Sequence, residues 1–405
     1  MTKTIAIIGA LDTKGTEFGF LKTEIEKRGC NTLIINTGVF APMFPPDVSA
    51  EEVAEAGGVK LADLVAKKDR GEAMAVMTKG ATAIAKKLYA EGKFDGIISA
   101  GGSGNTVMAT AAMRALPLGV PKVMVSTIAG GDVSAYVGTS DLIMMPSIVD
   151  VAGLNRISRT IFTNAAGAVC GMVLGEVAKS AEDKPLIAAS MFGNTTPAVD
   201  NARKIMENNG YEVLVFHATG AGGKTMEALI KDGFITGVMD ITTTEWADEI
   251  CGGVLSAGPE RLDAAALTGV PQVVVPGCID MCNFWAPSTI PEKYKGRTFY
   301  EWNPNVTLMR TTPEELAQMG KIFAEKLSKA KAPVAVLIPL KGVSQIDLEG
   351  KIFYWPEALQ AFIDNLKAGL RADIPVIEMD TDINDPAFSG KVAETLLDLM
   401  KNKMV

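Results

Sequence analysis

The sequence predicts an α/β protein made of two doubly wound domains, each with a mostly parallel sheet. Apolar strands alternate with amphipathic helices along the chain, and one strand–loop–helix–strand unit occurs twice, over residues 4–38 and residues 186–220. Because crossover helices between parallel strands must cover both faces of the sheet, alternation of this kind is typical of parallel sheets. At 405 residues the chain is also longer than one ordinary core supports, which favours two domains.

In the first half, predicted strands and helices follow one another in a regular order. The strand candidates are residues 4–8, 32–36, 95–99, 122–126 and 141–145, and the helix candidates are residues 71–91, 105–116 and 155–179. The repeated unit adds an amphipathic helix between the first two strands, ending near Gly29.

The second half repeats this order after the polar stretch of residues 179–185, which is the expected interdomain linker. Thr196 as N-cap, Pro197 in the first helical position and Gly210 at the end indicate a helix between its first two strands. The further strand candidates are residues 236–239, 272–275, 306–309, 334–338 and 376–379, and the helix candidates are residues 244–250, 259–268, 313–329, 356–370 and 388–401.

Composition limits the classes of function. The chain is 48% hydrophobic and 21% charged, which is typical of a globular protein. Its net charge of −8 argues against a nucleic-acid or anionic-membrane surface, where a basic patch is expected. No apolar run reaches the length of a membrane span, and the chain enters a strand directly, without a signal peptide. We expect a cytoplasmic protein of two Rossmann-like domains, residues 1–180 and residues 185–405, that face each other across a cleft.

The cysteines and the histidine argue against a zinc or multi-histidine metal site. The five cysteines are scattered, only Cys278 and Cys282 are close, and no further cysteine or histidine completes a zinc site. We therefore expect buried thiols in a reducing compartment. His217 is the one histidine and ends an apolar strand. It fits either a half-buried imidazole on a backbone carbonyl or an acid–base group in the cleft.

Two glycine-rich loops carry the functional hypothesis. Residues 9–15 follow the first strand, residues 100–106 follow the third, and each loop opens a helix. Glycine lets the backbone approach a ligand without a Cβ clash, and a helix N-terminus presents free N–H groups and a positive dipole end. At the carboxyl edge of an open α/β sheet, such loops predict a phosphate site and hence a bound nucleotide. The candidate residues are Asp12, Thr13, Lys14, Gly101, Gly102, Ser103, Gly104, Asn105 and Thr106.

Helix capping explains part of the first loop without a ligand. Glu17 suits the first turn of a helix, and Thr13 or Thr16 suits the N-cap. Lys14 does not fit that explanation, because a cation at a helix N-terminus is electrostatically unfavourable unless an anion lies there. The position of Lys14 therefore favours a bound phosphate.

A third polar loop follows the fourth strand of the first half. It supplies Thr127, Gly130, Gly131 and Asp132 as further candidates, and Asp132 suits either a Mg²⁺ ion or a ribose hydroxyl. Together with Asp12 from the first loop, Asp132 is the expected Mg²⁺ ligand.

The second half contains a relaxed Walker A pattern at residues 218–225, between a strand and a helix. It follows the second strand of its half, whereas a P-loop follows the first, so we expect an anion-binding turn and little role for Lys224. Other polar residues end neighbouring strands and suggest a second site, for a small anionic ligand. Its candidates are Gly193, Asn194, Thr195, His217, Gly220, Gly222, Glu245, Asp280 and Arg310.

Seven long strings of residues resemble the Tm-one-like ATP-binding family, named for a plant domain that confers resistance to tomato mosaic virus. The strings are residues 9–15, 101–106, 138–141, 144–150, 153–158, 216–220 and 306–312. The resemblance covers nearly the whole chain. It implies two Rossmann-like domains, self-association as a homodimer or higher homo-oligomer, and ATP bound with Mg²⁺ by the N-terminal domain. Where the family pattern has a histidine before the asparagine matched by Asn303, this chain has Trp302.

Two classes of function remain open. The first is an ATP–Mg²⁺-binding protein that acts as a slow ATPase or a nucleotide-gated regulator. The second is a metabolic enzyme that acts on a small anionic or phosphorylated substrate in the cleft between the domains, with the second-half candidates as its substrate site. ATP turnover that requires an added metabolite would favour the second class.

Overall fold

The computed structural model describes residues 2–175 and 183–402. The chain divides into two compact units, Met1–Lys179 and Ser180–Val405. The repeated unit found in the sequence is present in both, because the first strand, first helix and second strand of each unit form a parallel βαβ crossover.

The first unit alternates strands and helices. Its described elements are β1 (Thr4–Gly9), α1 (Leu11–Glu26), β2 (Asn31–Asn36), α2 (Ala50–Gly57), α3 (Leu61–Lys67), α4 (Arg70–Ala90), β3 (Gly96–Gly101), α5 (Ser103–Arg114), β4 (Lys122–Ser126), α6 (Ser134–Val137), β5 (Ile143–Pro146) and α7 (Arg156–Leu174). Helices α2 and α3 were not predicted from the sequence. They add a helical layer next to α4, which α2 packs against.

The five strands of the first unit form one parallel sheet in the order β2-β1-β3-β4-β5. Both faces are buried: Ile5 and Ile7 of β1 belong to one apolar cluster, and the alternating Ala6 and Ile8 belong to the other. Strand β1 lies between β2 and β3, so the direction of strand addition reverses between β1 and β3. Open α/β sheets bind ligands in the crevice outside the carboxyl ends of the strands at such a switch point.

Helix α7 is the part of the structure that bears on membrane spans. It has 19 residues and is the one described helix that is long and apolar enough to cross a membrane by length and composition alone. Its side chains Phe162, Ala165 and Val169 are buried in a cluster with β1, β3 and β4. That packing is typical of a core helix. The predicted end of this helix, beyond residue 175, lies outside the described residues, as does the first part of the linker predicted over residues 179–185.

The second unit contains two sheets. Its described elements are β6 (Leu186–Met191), α8 (Thr196–Asn208), β7 (Glu212–His217), α9 (Ala221–Lys231), β8 (Ile235–Thr242), α10 (Glu245–Cys251), α11 (Asp263–Thr268), β9 (Gln272–Gly277), β10 (Met281–Phe284), β11 (Phe299–Asn303), β12 (Val306–Arg310), α12 (Pro313–Leu327), β13 (Val334–Pro339), α13 (Pro356–Gly369), β14 (Val376–Met379) and α14 (Pro386–Asn402).

The larger sheet of the second unit is parallel, in the order β14-β13-β9-β8-β6-β7. Strand β6 lies between β7 and β8, so the switch point falls between β6 and β8. The predicted α/β class with two mostly parallel sheets is confirmed. Thr195 rather than Thr196 is the N-cap of α8, so Pro197 is the second residue of this helix and not the first, the position predicted from the sequence.

The smaller sheet of the second unit is antiparallel, in the order β10-β12-β11. Strand β12 was predicted, but as one more strand of an alternating α/β series. Strands β10 and β11 were not predicted. Residues 300–303 of β11 are exposed, so that strand lacks the apolar pattern by which strands are recognised in a sequence.

Candidate functional site

A cavity of about 810 Å³ lies at the carboxyl edge of the first sheet, at the switch between β1 and β3. It is bordered by the start of α1, the end of β2, the α3–α4 turn and the start of α5. Seven residues predicted from the sequence line it: Asp12, Thr13, Lys14, Gly102, Ser103, Gly104 and Asn105. The two glycine-rich loops, far apart in the sequence, therefore meet at one cavity.

The N-terminus of α5 opens into this cavity without a side-chain cap. Gly102 is the N-cap residue, and no side chain accepts a hydrogen bond there. The first amide with a helical partner is that of Thr106, which donates to the Gly102 carbonyl at 3.0 Å. The turn that precedes it lines the cavity and carries the positive end of the helix dipole. This end of α5 is suited to an anion.

The three glycines at the start of α5 differ in whether packing of the chain requires them. A Cβ at Gly101 would lie 2.7 Å from the Asn105 side chain, so packing requires glycine there. A Cβ at Gly102 would come no closer than 3.8 Å to Thr127, and one at Gly104 no closer than 3.7 Å to Met74. Gly102 also has φ of −82°, which any residue adopts. Packing of the chain therefore does not require glycine at 102 or 104.

Asn105 and Thr106 stabilise the turn. The Asn105 Nδ2 group donates to Ser99 Oγ and to the Ala100 carbonyl, each at 2.9 Å, while its Oδ1 atom is buried without a partner. Thr106 Oγ1 bonds the Gly102 carbonyl and Ser126 Oγ. Thr106 is fully buried and does not line the cavity, so its predicted role as a ligand-binding side chain is wrong.

Asp12 is fixed by backbone amides of the segment after β2. Its Oδ2 atom accepts hydrogen bonds from the N–H groups of Val39 (3.1 Å) and Phe40 (3.0 Å), and its Oδ1 atom is buried without a partner. Thr37 Oγ1, in the same wall of the cavity, is also buried and unpaired. Unpaired buried polar atoms are rare, because each costs about 1–3 kcal/mol.

Lys14 is held over the cavity by the loop after β5. Its Nζ group donates to the Val151 carbonyl, and its backbone leaves helical geometry at φ −128° and ψ 22°. Thr13 is exposed beside it, with a long 3.5 Å contact to the Ala10 carbonyl. Lys14, predicted to be electrostatically unfavourable at a helix N-terminus, therefore has a carbonyl partner. No carboxylate among the described residues pairs with it.

The third predicted loop lies beside the cavity, where the Thr127 N–H donates to the Gly101 carbonyl at 3.2 Å, but it does not line it. Thr127, Gly130, Gly131 and Asp132 are exposed residues outside its lining. The Asp132 carboxylate accepts the Ser134 N–H at 2.9 Å, which lowers the pKa of Asp132 and caps a turn. Asp12 lines the cavity and Asp132 does not, so nothing in the structure supports the expectation that they share a Mg²⁺ ion. Asp150, which was not predicted, lines the cavity instead.

Sequence reasoning missed one wall of the cavity. Its apolar part comes from Val39, Phe40, Leu64, Val65, Ala73, Met74, Met77 and Met108, and its charged part from Lys68, Asp69 and Arg70. Most of these residues lie on α3, on α4 or in the turn between them. None of these segments directly follows a predicted strand. The signal present in the sequence was the run of four charges at residues 67–70.

In the second unit, the turn that matches a Walker A pattern is already filled by the protein. Glu245 Oε1 accepts the N–H groups of Gly220 at 2.7 Å and Gly223 at 3.1 Å. A Cβ at Gly223 would overlap the Glu245 carboxylate, and one at Gly222 would overlap the His217 carbonyl. The anion bound at this turn is therefore Glu245, and the expectation that Gly220, Gly222 and Glu245 bind an external anion is wrong.

Glu245 is also part of a buried ion cluster around Arg261. Arg261 Nε donates to Glu245 Oε2 at 2.7 Å, Nη2 donates to Asp240 Oδ1 at 2.6 Å, and Nη1 lies 3.3 Å from Glu227 Oε1. Burial alone would lower the pKa of Arg261, but Asp240 and the two glutamates raise it well above its usual value. Glu227 also accepts the N–H groups of Leu262 and Ala264. The cluster therefore fixes the start of α11 to α9 and β8.

Arg310, the basic residue predicted for the second site, is also hydrogen-bonded to other groups of the protein. Arg310 Nε donates to the Phe353 carbonyl at 2.6 Å, and its Nη2 group lies 3.2 Å from Asp347 Oδ1. Burial, reinforced by the charge of Asp280, raises the pKa of Asp347 to about 7. Asp280 accepts the Ser344 hydroxyl at 2.8 Å, and burial raises its pKa too. Arg310 is thus not free for an external anion.

The remaining candidates of the second unit also have internal contacts. Thr195 Oγ1 lies 2.7 Å from Thr242 Oγ1, and the buried Asn194 amide contacts Met281 Sδ at 3.7 Å. His217 is exposed and stacks on Phe192 with 5.4 Å between ring centroids, so the half-buried alternative is wrong. Gly193 lies beside Trp302. These residues share one sheet edge, where Asn194 Oδ1 is buried without a hydrogen-bond partner.

The fold and the cavity define an α/β protein with an anion-suited cavity at the switch point of its first sheet. The chain belongs to the UPF0261 family. The N-terminal domain of that uncharacterised protein family matches residues 3–178, and its C-terminal domain matches residues 184–400. The family resemblance predicted from the sequence is thereby confirmed.

Curated relatives cover most or all of the chain. A UPF0261 protein of Clostridium tetani is 52% identical over 99% of this chain and 100% of its own length. The ToMV susceptible protein tm-1(GCR26) of Solanum lycopersicum is 37% identical over 97% of this chain and 55% of its own. The ToMV resistance protein Tm-1(GCR237) of the same plant is 41% identical over 82% and 45%. The chain spans about half the length of the two tomato proteins.

Proposed function

We propose that the first unit binds a nucleoside polyphosphate, ATP with Mg²⁺, in the cavity between β1 and β3. A volume of about 810 Å³ is within the range of small-molecule and cofactor sites. The cavity lies at the switch point where doubly wound sheets bind such ligands. Its apolar wall suits a base, and the N-terminus of α5 suits phosphate.

The observation that carries this proposal is the pair of glycines at 102 and 104. Both line the cavity at an uncapped helix N-terminus, and neither is required by packing. Gly104 lies within the helix, where a glycine costs about 0.5–1 kcal/mol relative to alanine, whereas Gly102 is the N-cap, a position that glycine also suits. Close approach of a ligand to the backbone is a reason to keep glycine at both positions.

The charged lining fits a metal–polyphosphate complex. Three cations and three carboxylates line the cavity: Lys14, Lys68, Arg70, Asp12, Asp69 and Asp150. Mg²⁺ is typically bound by one or two carboxylates together with substrate phosphates, so it does not need a dedicated cluster of protein ligands. Among the described residues, no group of three or more acidic, cysteine or histidine side chains is placed to hold a metal ion. Asp12 and Asp150 would hold the ion, which neutralises phosphate charge.

The alternative, a metabolic enzyme with an anionic substrate at the second-unit candidates, has weaker support. Glu245 and Arg310 were its main charged groups, and both are engaged inside the protein.

Isothermal titration of the full chain with MgATP tests the proposal. Gly102→Ala should lower the affinity about tenfold or more, because the new methyl group displaces the ligand from the α5 turn. The thermal unfolding midpoint should fall only slightly, because the methyl group meets no clash but alanine is a poorer N-cap than glycine. Gly130→Ala is the matched control: Gly130 is exposed and lies outside the cavity, and a methyl group added there would meet no atom within 4 Å. Equal affinities for the wild type and Gly102→Ala, or no binding by the wild type at millimolar MgATP, would contradict the proposal.

A further inference from the structure

Lys68 has an unusual backbone conformation for its residue type. It is the C-cap of α3, with φ 55° and ψ 24° in the left-handed region. Three other described helices end on a left-handed C-cap, and glycine occupies all three: Gly58, Gly252 and Gly269. Residues with a Cβ are disfavoured in that conformation, whereas glycine is not. The sequence therefore keeps a lysine where glycine would be the more stable choice.

Residues 67–70 around this C-cap are all charged, and they differ in their partners. Lys67 pairs with Glu72 at 2.6 Å, and Asp69 accepts the Glu72 N–H as the N-cap of α4. Lys68 and Arg70 have no ion pair among the described residues. These two unpaired cations line the cavity, whereas Lys67 does not. Capping and ion pairing therefore explain residues 67 and 69 and leave residues 68 and 70 without a structural role.

We propose that Lys68 and Arg70 form a polyphosphate clamp, which closes on the phosphates from the α3–α4 turn while α5 holds them from the sheet side. This inference rests on the proposed nucleotide site. Strained backbone conformations are held by the structure around them and cluster at active sites and ligand clamps. The clamp makes the cavity selective for nucleotides with a phosphate chain, since a nucleoside without phosphate gains nothing from either cation.

Lys68→Gly is the informative variant, because it removes the cation and relieves the backbone at once. The thermal unfolding midpoint should rise or stay constant, while MgATP affinity falls about tenfold, the typical effect of losing one charge-assisted contact. Adenosine affinity should stay unchanged. Lys67→Ala is the matched control, since it removes the same charge from the neighbouring position, and it should bind MgATP like the wild type.

The outcomes separate this clamp from the nucleotide site itself. If Lys68→Gly binds MgATP like the wild type while Gly102→Ala has lost affinity, the clamp is wrong and the site stands. If neither variant loses affinity, both proposals fail. Two further results would overturn the clamp. If Lys68→Gly loses as much affinity for adenosine as for MgATP, the lost contact is not with phosphate. If Lys67→Ala loses as much MgATP affinity as Lys68→Gly, the loss is not specific to Lys68.

Discussion

Two glycine-rich turns in this chain look alike in sequence and have opposite surroundings. Both follow a parallel strand and open a helix, α5 in the first unit and α9 in the second. The turn at Gly220 and Gly223 holds the carboxylate of Glu245, and a methyl group at Gly223 would overlap it. The turn at Gly102 and Gly104 faces a cavity. A glycine turn of this pattern therefore either holds a carboxylate of the protein or faces a cavity, and only the structure distinguishes the two.

The largest expected effect comes from removing the internal anion. Glu245→Ala should lower the free energy of unfolding of the second unit by about 3 kcal/mol, because Arg261 loses a buried partner and two amides lose their acceptor. All four tryptophans lie in this unit, so urea unfolding followed by tryptophan fluorescence reports on it: Trp246, Trp285, Trp302 and Trp355.

The same variant should also recover anion binding. Sulfate should stabilise Glu245→Ala more than it stabilises the wild type, because the emptied turn offers the free N–H groups of a helix N-terminus. The exposed Glu349→Ala serves as the control for sulfate effects on any loss of negative charge. If Glu245→Ala is as stable as the wild type, or gains nothing from sulfate, Glu245 is not the anion that fills this turn.

Gly223→Ala should be the next most harmful change. The new methyl group would overlap the Glu245 carboxylate in a packed site, which typically costs about 1–3 kcal/mol. Urea unfolding by tryptophan fluorescence measures this loss. MgATP affinity of the first unit should not change, and a decrease there would show that the two turns are not independent.

Asp248, on the same helix as Glu245, gives the second unit a pH-dependent stability. Burial, with a smaller contribution from the charge of Glu245, raises the pKa of Asp248 to about 7 from an ordinary value of 3.8. The folded state therefore binds this proton more tightly than the unfolded state does. Its contribution to stability is complete below about pH 4 and is lost as the pH rises to about 7.

Asp248→Asn isolates that contribution. Between pH 5 and pH 8 the wild type should lose about 2 kcal/mol of stability relative to the variant, measured by urea unfolding at both pH values. A constant difference between the two proteins across this range would show that Asp248 does not titrate there.

Gly104→Ala should act in the opposite sense to Gly223→Ala. Position 104 is helical and a Cβ there meets only Met74 at 3.7 Å, so alanine should stabilise the first unit by about 0.5–1 kcal/mol. MgATP affinity should fall in the same variant. Thermal unfolding by circular dichroism and calorimetric titration measure the two effects, and unchanged affinity would show that no ligand approaches this backbone.

Lys224→Ala should have the smallest effect. Lys224 is exposed, and the turn beside it already holds Glu245. MgATP affinity should stay within about a factor of three, which is under 1 kcal/mol. A hundredfold loss in calorimetric titration would move the nucleotide site to the second unit.

How much of the structure could be predicted depends on how far apart in the sequence the interacting residues lie. The parallel sheets were predictable because strand and helix periodicity is local, as in the apolar run of β1. The cavity was half predictable: glycines and charges mark its sheet edge, but α3 carries no chemical motif. Glu245 lies 25 residues from Gly220, so its capture of that turn is a tertiary event. Asp132 caps a turn in the structure, and a capping aspartate and a metal ligand look alike in a sequence.

Hydrogen–deuterium exchange on the full chain tests the central claim most directly, because it compares the two turns in one experiment. Saturating MgATP should slow exchange in the peptides that carry residues 102–106 and 66–74 and leave residues 219–225 unchanged, since Glu245 already holds that turn. Protection confined to residues 219–225, or no protection at either turn, would contradict the account.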